Sequence, residues 1–259
     1  MIKLTWLGTA TILLDVQGEK LLFDPFFRMN QKLEQPPLKS FSEVDYIFNT
    51  HAHLDHASSL PLILKNTSAI VYAPPSTLDC LKREDVDLNK TKTLQLEQKI
   101  TTKFTKVITH ENKHIKFDFP LILKTIFRSL AKFQMLKAIK LLKLNKKYQM
   151  KDDIFSFEVQ AENKKLLIIG SAGYEEDQEY PKDVDILVWP FQGRSNMEKY
   201  SMPIIEKINP KTVILDHFDN SYPPITTHVK TNNFIETMKE KHPEINVIEP
   251  EFGESITLD

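Results

Sequence analysis

Apolar positions along this chain follow two periods, and the switches between them mark its elements. The opening stretch "IKLTWLGTATILLDVQGEKLLFDPF" holds short runs rich in β-branched and aromatic residues, joined at Gln17-Gly18-Glu19, and predicts a hairpin. Val44 to Thr50, "VDYIFNT", reads as a short apolar strand, "SSLPLILKN" as the helix after it, and "AIVYAPP" as a further strand ended by Pro74-Pro75. Strands and helices go on alternating, which predicts an α/β chain. The second half also echoes the first. "KKLLIIGSAGY" resembles "EKLLFDPF", while "DVDILVWPFQG" and "KTVILDHFD" each resemble "EVDYIFNTHAH". Two related half-domains, or simply the common look of buried α/β strands, would account for the echo.

One region departs from this rhythm. Leu123, Ile126, Phe127 and Leu130 form one helical stripe and Met135, Ala138, Ile139 and Leu142 form another out of phase with it, so two amphipathic helices or one kinked helix are expected over 119–150. From Leu121 to Met150 there are eight Lys and Arg residues and no acidic one; since the whole chain carries −1, the rest carries −9. Three readings of this basic insert follow: a solvated helical pair over a pocket, a peripheral contact with an anionic membrane surface, or a nucleic-acid track with Phe127, Phe133 and Tyr148 for stacking. The acidic remainder would repel a long polyanion, so nucleic acid is not the expected partner.

With 259 residues, 41% of them hydrophobic, the chain is long enough for one large domain, and we read 1–259 as a single domain carrying the insert. A lone cysteine, Cys80, excludes an internal disulfide framework and cysteine-rich zinc modules. "MIKLTWLGTATILLDV" lacks the character of a signal peptide, and no run of about 18 apolar residues occurs. A cytoplasmic location is expected.

The candidate chemistry lies at residues 50 to 56, "THAHLDH". Imidazole nitrogen and carboxylate oxygen are the donors that a first-row divalent ion such as zinc prefers. His51 and His53, two apart on extended chain, can project to one side and share an ion. Asp55 and His56 lie where the chain turns into a helix and can aim at a second point nearby. Two adjacent ions can activate a water and neutralise the charge that develops as it attacks phosphorus or a carbonyl.

His51-Ala52-His53-Leu54-Asp55-His56 has the form H-x-H-x-D-H and resembles the signature of the metallo-β-lactamase superfamily. "WLGTATILLD…LLFDP" is similar to that family's opening hairpin, and "INPKTVILDHFD" to the strand that delivers its last histidine. The resemblance implies a four-layer αββα sandwich with the metals at one edge. It is nearest to the lactonase-like branch, which holds ascorbate-phosphate lactonases and N-acyl-phosphatidylethanolamine phospholipases. On this resemblance His51, His53 and a third histidine hold a first metal, and Asp55, His56 and His217 hold a second. Both His110 and His114 lie in "VITHENKHIKFD"; His114 fits the family's position better. Where the family places a bridging aspartate, after "LLIIG", this chain has Ser171. The second site should then be weaker, or a carboxylate from Glu175, Glu176 or Asp177 should replace the missing one. Asp24 and Asp118 are either acceptors that orient imidazoles or plain turn and capping residues, and His228 and His242 belong to the surface.

The function expected is hydrolysis of an anionic, amphiphilic small molecule or lipid-like substrate, a phosphodiester or phosphorylated lactone, with one or two zinc ions, or manganese or iron in their place. Asp55 is the expected proton acceptor. A non-catalytic metal-binding module and a nuclease of the same fold are the alternatives.

Overall fold

The computed structural model describes residues 1–148, 151, 153–175 and 177–258, and these form two seven-stranded sheets. The first sheet takes β1 (Ile2–Trp6), β2 (Ile12–Val16), β3 (Glu19–Phe23), β4 (Tyr46–Phe48), β5 (Ile70–Ala73) and β6 (Thr91–Thr93). The second takes β7 (Lys99–Thr101), β8 (Thr105–Glu111), β9 (Phe155–Ala161), β10 (Lys164–Ile169), β11 (Ile186–Pro190), β12 (Thr212–Asp216) and β13 (Asn246–Ile248). The last strand, β14 (Ser255–Leu258), returns to the first sheet and pairs antiparallel with β1.

The opening segment is a three-stranded meander where a single hairpin is expected from its pattern. The missed break lies at Leu7–Thr11, where Gly8 and Thr9 both take positive φ, and where the Leu7 N–H donates to the Thr11 carbonyl across the turn. An apolar run that continues through its own turn hides the turn from any count of periodicity.

The echo between the halves is real at the level of topology. In the first sheet an antiparallel meander, β1 to β3, leads into the parallel run β3 to β6. In the second, the meander β8 to β10 leads into the parallel run β10 to β13. The paired segments "EKLLFDPF" and "KKLLIIGSAGY" occupy equivalent places as β3 and β10.

Side-chain alternation sets the layers. Leu4, Leu14, Leu21, Phe23 and Phe48 face the second sheet, where Phe157 meets both phenylalanine rings at 5.6 and 5.4 Å between centroids. The intervening Leu22, Ile47 and Val71 face outward, against α1 (Lys39–Ser42), α2 (Leu54–Ala57), α3 (Leu60–Leu64) and α4 (Pro75–Lys82). Two further helices, α5 (Phe119–Ala131) and α6 (Met135–Asn145), make up the basic segment; its last two residues, Gln149 and Met150, lie outside the described ones. The outer face of the second sheet is covered by α7 (Met197–Ile208) and α8 (Asn232–Lys241): Trp189 donates to Ser201 and Phe191 packs on Phe234. The order of layers is αββα. Buried on both sides, the parallel strands read as unbroken apolar runs such as "ILVWP".

Candidate metal centre

All the ligand-bearing loops leave one edge of the sandwich. After β4 the chain passes Asn49 and Thr50, both fully buried, and delivers His51. His53 is the extended residue before α2, and Asp55 and His56 lie in that helix's single turn. His114 comes from the loop after β8, and His217 directly follows β12. The backbone of His217 is left-handed, with φ 56°, and its N–H donates to the Thr9 carbonyl, so the first sheet's missed turn fixes a residue of the second.

Three groups of three result, one of them, Asp24–His51–His56, spanning the other two. His51, His53 and His114 bring one ligand atom each within 4.8 Å of one another, and so do Asp55, His56 and His217. The rings of His51 and His56 stand 4.0 Å apart between centroids, which makes the two groups neighbours. His110 is elsewhere: its Nε2 pairs with Glu158 Oε2 at 3.1 Å. Of the carboxylates considered as substitutes, Glu175 turns to Lys113 and Asp177 joins no such group among the described residues; Glu176 lies outside them. The Ser171 hydroxyl accepts from the Ile115 N–H at 3.1 Å and its carbonyl accepts from Asn112. It therefore holds the loop that presents His114. A Cβ on Gly170 would come within 2.2 Å of Thr50 Oγ1, so only glycine lets these two loops approach.

The outer nitrogens of two imidazoles, His51 and His56, are held by hydrogen bonds. Asp24 accepts from the Thr50 N–H at 2.7 Å, from Asn49, from the Thr50 hydroxyl and from His56 Nδ1 at 2.8 Å. Because the Thr50 hydroxyl donates its proton to Asp24, its oxygen accepts from His51 Nδ1 at 2.8 Å, and the lone pair of His51 falls on Nε2. That Nε2 is buried without a hydrogen-bond partner, as is His217 Nδ1. A divalent ion fits the His51 donor, since a neutral imidazole whose other nitrogen is held by a hydrogen bond, here the Thr50 hydroxyl backed by the Asp24 carboxylate, is the arrangement metal sites use. Asp118, by contrast, caps α5 and accepts from Leu121 and Ser195.

Electrostatics divide the two groups. Burial, and then the neighbouring imidazoles, push His51 well below the ordinary histidine range. Burial lowers His53 against the pull of Asp55, and burial with His53 brings His114 down to about 3. These three are neutral at physiological pH, the state a ligand needs. Burial opposes charge on Asp55, yet His56 and the hydrogen bond with His217 outweigh it and hold the carboxyl well below its usual value. Burial likewise works against His217, but Asp55, 3.0 Å away, raises it to about 9.

Sequence reasoning missed Tyr222. Its hydroxyl donates to Asp55 Oδ2 at 3.1 Å, and burial followed by the Asp55 charge raises the phenol well above its ordinary value. The available signal was its place in "HFDNSYPP", on the loop that follows the ligand-bearing strand. Above the two groups lies a cavity of about 130 Å³, walled by Ile115, Phe117, Leu141, Leu142 and Ile225, with Tyr222 and Gln192 among its polar groups.

The family model for the beta-lactamase superfamily domain matches residues 3–217. A UPF0173 protein of Pyrococcus furiosus is 30% identical over 119 residues, covering 46% of this chain and 52% of that protein. A UPF0173 metal-dependent hydrolase of Flavobacterium johnsoniae is 34% identical over 71 residues, 27% of this chain and 31% of that one. The chain thus spans about half or less of these curated relatives. Among solved structures, the metallo hydrolase Igni18 of Ignicoccus hospitalis has a TM-score of 0.66 at 15% identity, covering 100% of this chain and 98% of that one. An isothiocyanate hydrolase from Delia radicum gut bacteria has a TM-score of 0.63 at 14% identity, covering 98% of each chain. At such identities these two show a shared fold. With its H-x-H-x-D-H loop, its αββα layers and a family match over most of its length, the chain belongs to the metallo-β-lactamase superfamily.

Proposed function

We propose that this chain is a metal-dependent hydrolase of anionic substrates that carry an apolar portion, a phosphodiester or a phosphorylated lactone being the fitting classes. One observation carries the reading: two groups of three donors, His51–His53–His114 and Asp55–His56–His217, adjoin, and all but the buried His51 line one cavity. Relatives named metal-dependent hydrolases support it. The apolar wall from Ile115 to Leu142 suits a hydrocarbon portion, and the lysines of the neighbouring helices suit a negative charge.

When bound, a first-row divalent ion, zinc by donor type, supplies Lewis-acid polarisation and a water pKa near 7. The chain's own groups do the rest. Asp24 fixes the ring of His56 directly and that of His51 through Thr50. Asp55 receives its two hydrogen bonds, from His217 and Tyr222, on Oδ2, so Oδ1 is the atom open to an ion or to the proton of the attacking water. Tyr222, kept protonated, donates to that carboxylate and excludes bulk water from it. The leucine and phenylalanine walls hold the apolar part of the substrate and direct the scissile bond toward the donors.

The test is metal content per chain, together with turnover of bis-p-nitrophenyl phosphate and a simple lactone, for wild type, His51→Ala and Asp55→Ala. About one to two equivalents of metal, with turnover lost in both variants, is expected. Bound metal without turnover on any ester, lactone or thioester would replace this reading with a binding module, and Ser171 would mark where the catalytic carboxylate is missing.

A further inference from the structure

The first helix of the basic segment is inside out. On α5 the apolar residues Phe119, Ile122, Leu123, Ile126, Phe127 and Leu130 recur at helical spacing along one stripe, and all six are exposed. The side that meets the protein is the polar one: Ser129 is buried, and Arg128 donates to the carbonyls of Pro224 and Ile225. The turn into α6 then presents Phe133 at 98% exposure and Leu136 at 85%. Eleven of the fourteen large hydrophobic residues exposed among the described ones fall between Phe117 and Leu142, so this is one patch and not scattered surface. Seven exposed lysines between Lys124 and Lys147 surround it, with no carboxylate from Phe119 to Tyr148.

We infer that α5 and α6 dock the protein peripherally on an anionic lipid surface, with Phe133 and Leu136 leading into the acyl region and the lysines on the headgroups. An apolar stripe turned to solvent needs a cover, and its ring of cations specifies one that is apolar beneath and negative at its surface. A second copy in a two-fold contact would bring the same cations face to face, which opposes that occupant. Because Leu141 and Leu142 of α6 also wall the cavity over the metal centre, docking turns the mouth of that cavity toward the lipid. The inference stands apart from the hydrolase reading, since docking requires no turnover.

Co-sedimentation of the full chain with vesicles tests it, comparing pure phosphatidylcholine with phosphatidylcholine containing about one third phosphatidylglycerol. Binding is expected on the anionic vesicles alone, falling about tenfold in Phe133→Ser/Leu136→Ser and, separately, in high salt. Both side chains are nearly free of protein contact, so the thermal midpoint of the variant should stay at the wild-type value. Absence of binding to anionic vesicles, equal binding to neutral ones, or undiminished binding by the double variant would each overturn the inference. So would a dimer that the double variant dissolves without any vesicle binding, or salt-sensitive binding of single-stranded RNA in its place.

Discussion

At the scale of single residues, Asp24 ties the candidate metal centre together. One carboxylate fixes the His56 ring, reaches His51 through Thr50 and holds Asn49 in place. Asp24→Asn keeps the shape but weakens acceptance from His56, and metal affinity should fall about 10- to 100-fold in a chelator competition. Tyr222→Phe removes a donor without opening a void; kcat should fall roughly tenfold on the substrate found for the enzyme, with metal content unchanged, which would separate a role in turnover from a role in binding. The residues of the motif were legible because four donors in six positions have no common structural explanation. Asp24, Thr50 and Tyr222 were less so, since their partners lie 26, 1 and 167 positions away and only the fold brings the distant ones together.

At the scale of elements, α5 depends on its first turn. Asp118 caps it, accepting from the Leu121 N–H, and takes further hydrogen bonds from Ser195. Partial burial pushes this carboxyl up, but the bonds from Ser195 and Leu121 outweigh it and hold it below the ordinary aspartate value. A carboxyl lowered in the folded state stabilises fully above its unfolded value, about 4, and that contribution is lost as pH falls through the lower folded value. Asp118→Ala should cost about 1 kcal/mol by denaturant titration at neutral pH, with the difference from wild type shrinking in acid. The helices themselves were readable from their stripes; the direction those stripes face was not. A hydrophobic period says that one side of a helix is apolar, and the usual inference that this side meets the core fails where Arg128 finds two carbonyls on the body of the protein.

Across the whole molecule, the centre joins the halves. His51 to His56 come from the first sheet's loops and His114 and His217 from the second's, so an ion held by either group would cross-link the two. An ion at a hundred times its Kd adds about 2.7 kcal/mol to folding. Chelator treatment should therefore lower the thermal midpoint by roughly 5 °C, and Asp24→Asn should lose most of that shift. The layered fold was legible through its family motif and its repeated strand patterns. The edge partner of β1 was not, because nothing local in Ser255–Leu258 announces a strand that must cross the entire sequence to pair.

That last pairing sets an order on synthesis. Ile2–Trp6 is synthesised some 250 residues ahead of its partner and stays an open edge until then, aligned on one side with β2 and bare on the other. Every candidate ligand is already outside the exit tunnel by then. A nascent chain with every candidate ligand in place thus still carries an unpaired strand, and the time that strand is exposed to wrong partners is set by how fast the residues between Ile2–Trp6 and Ser255–Leu258 are translated.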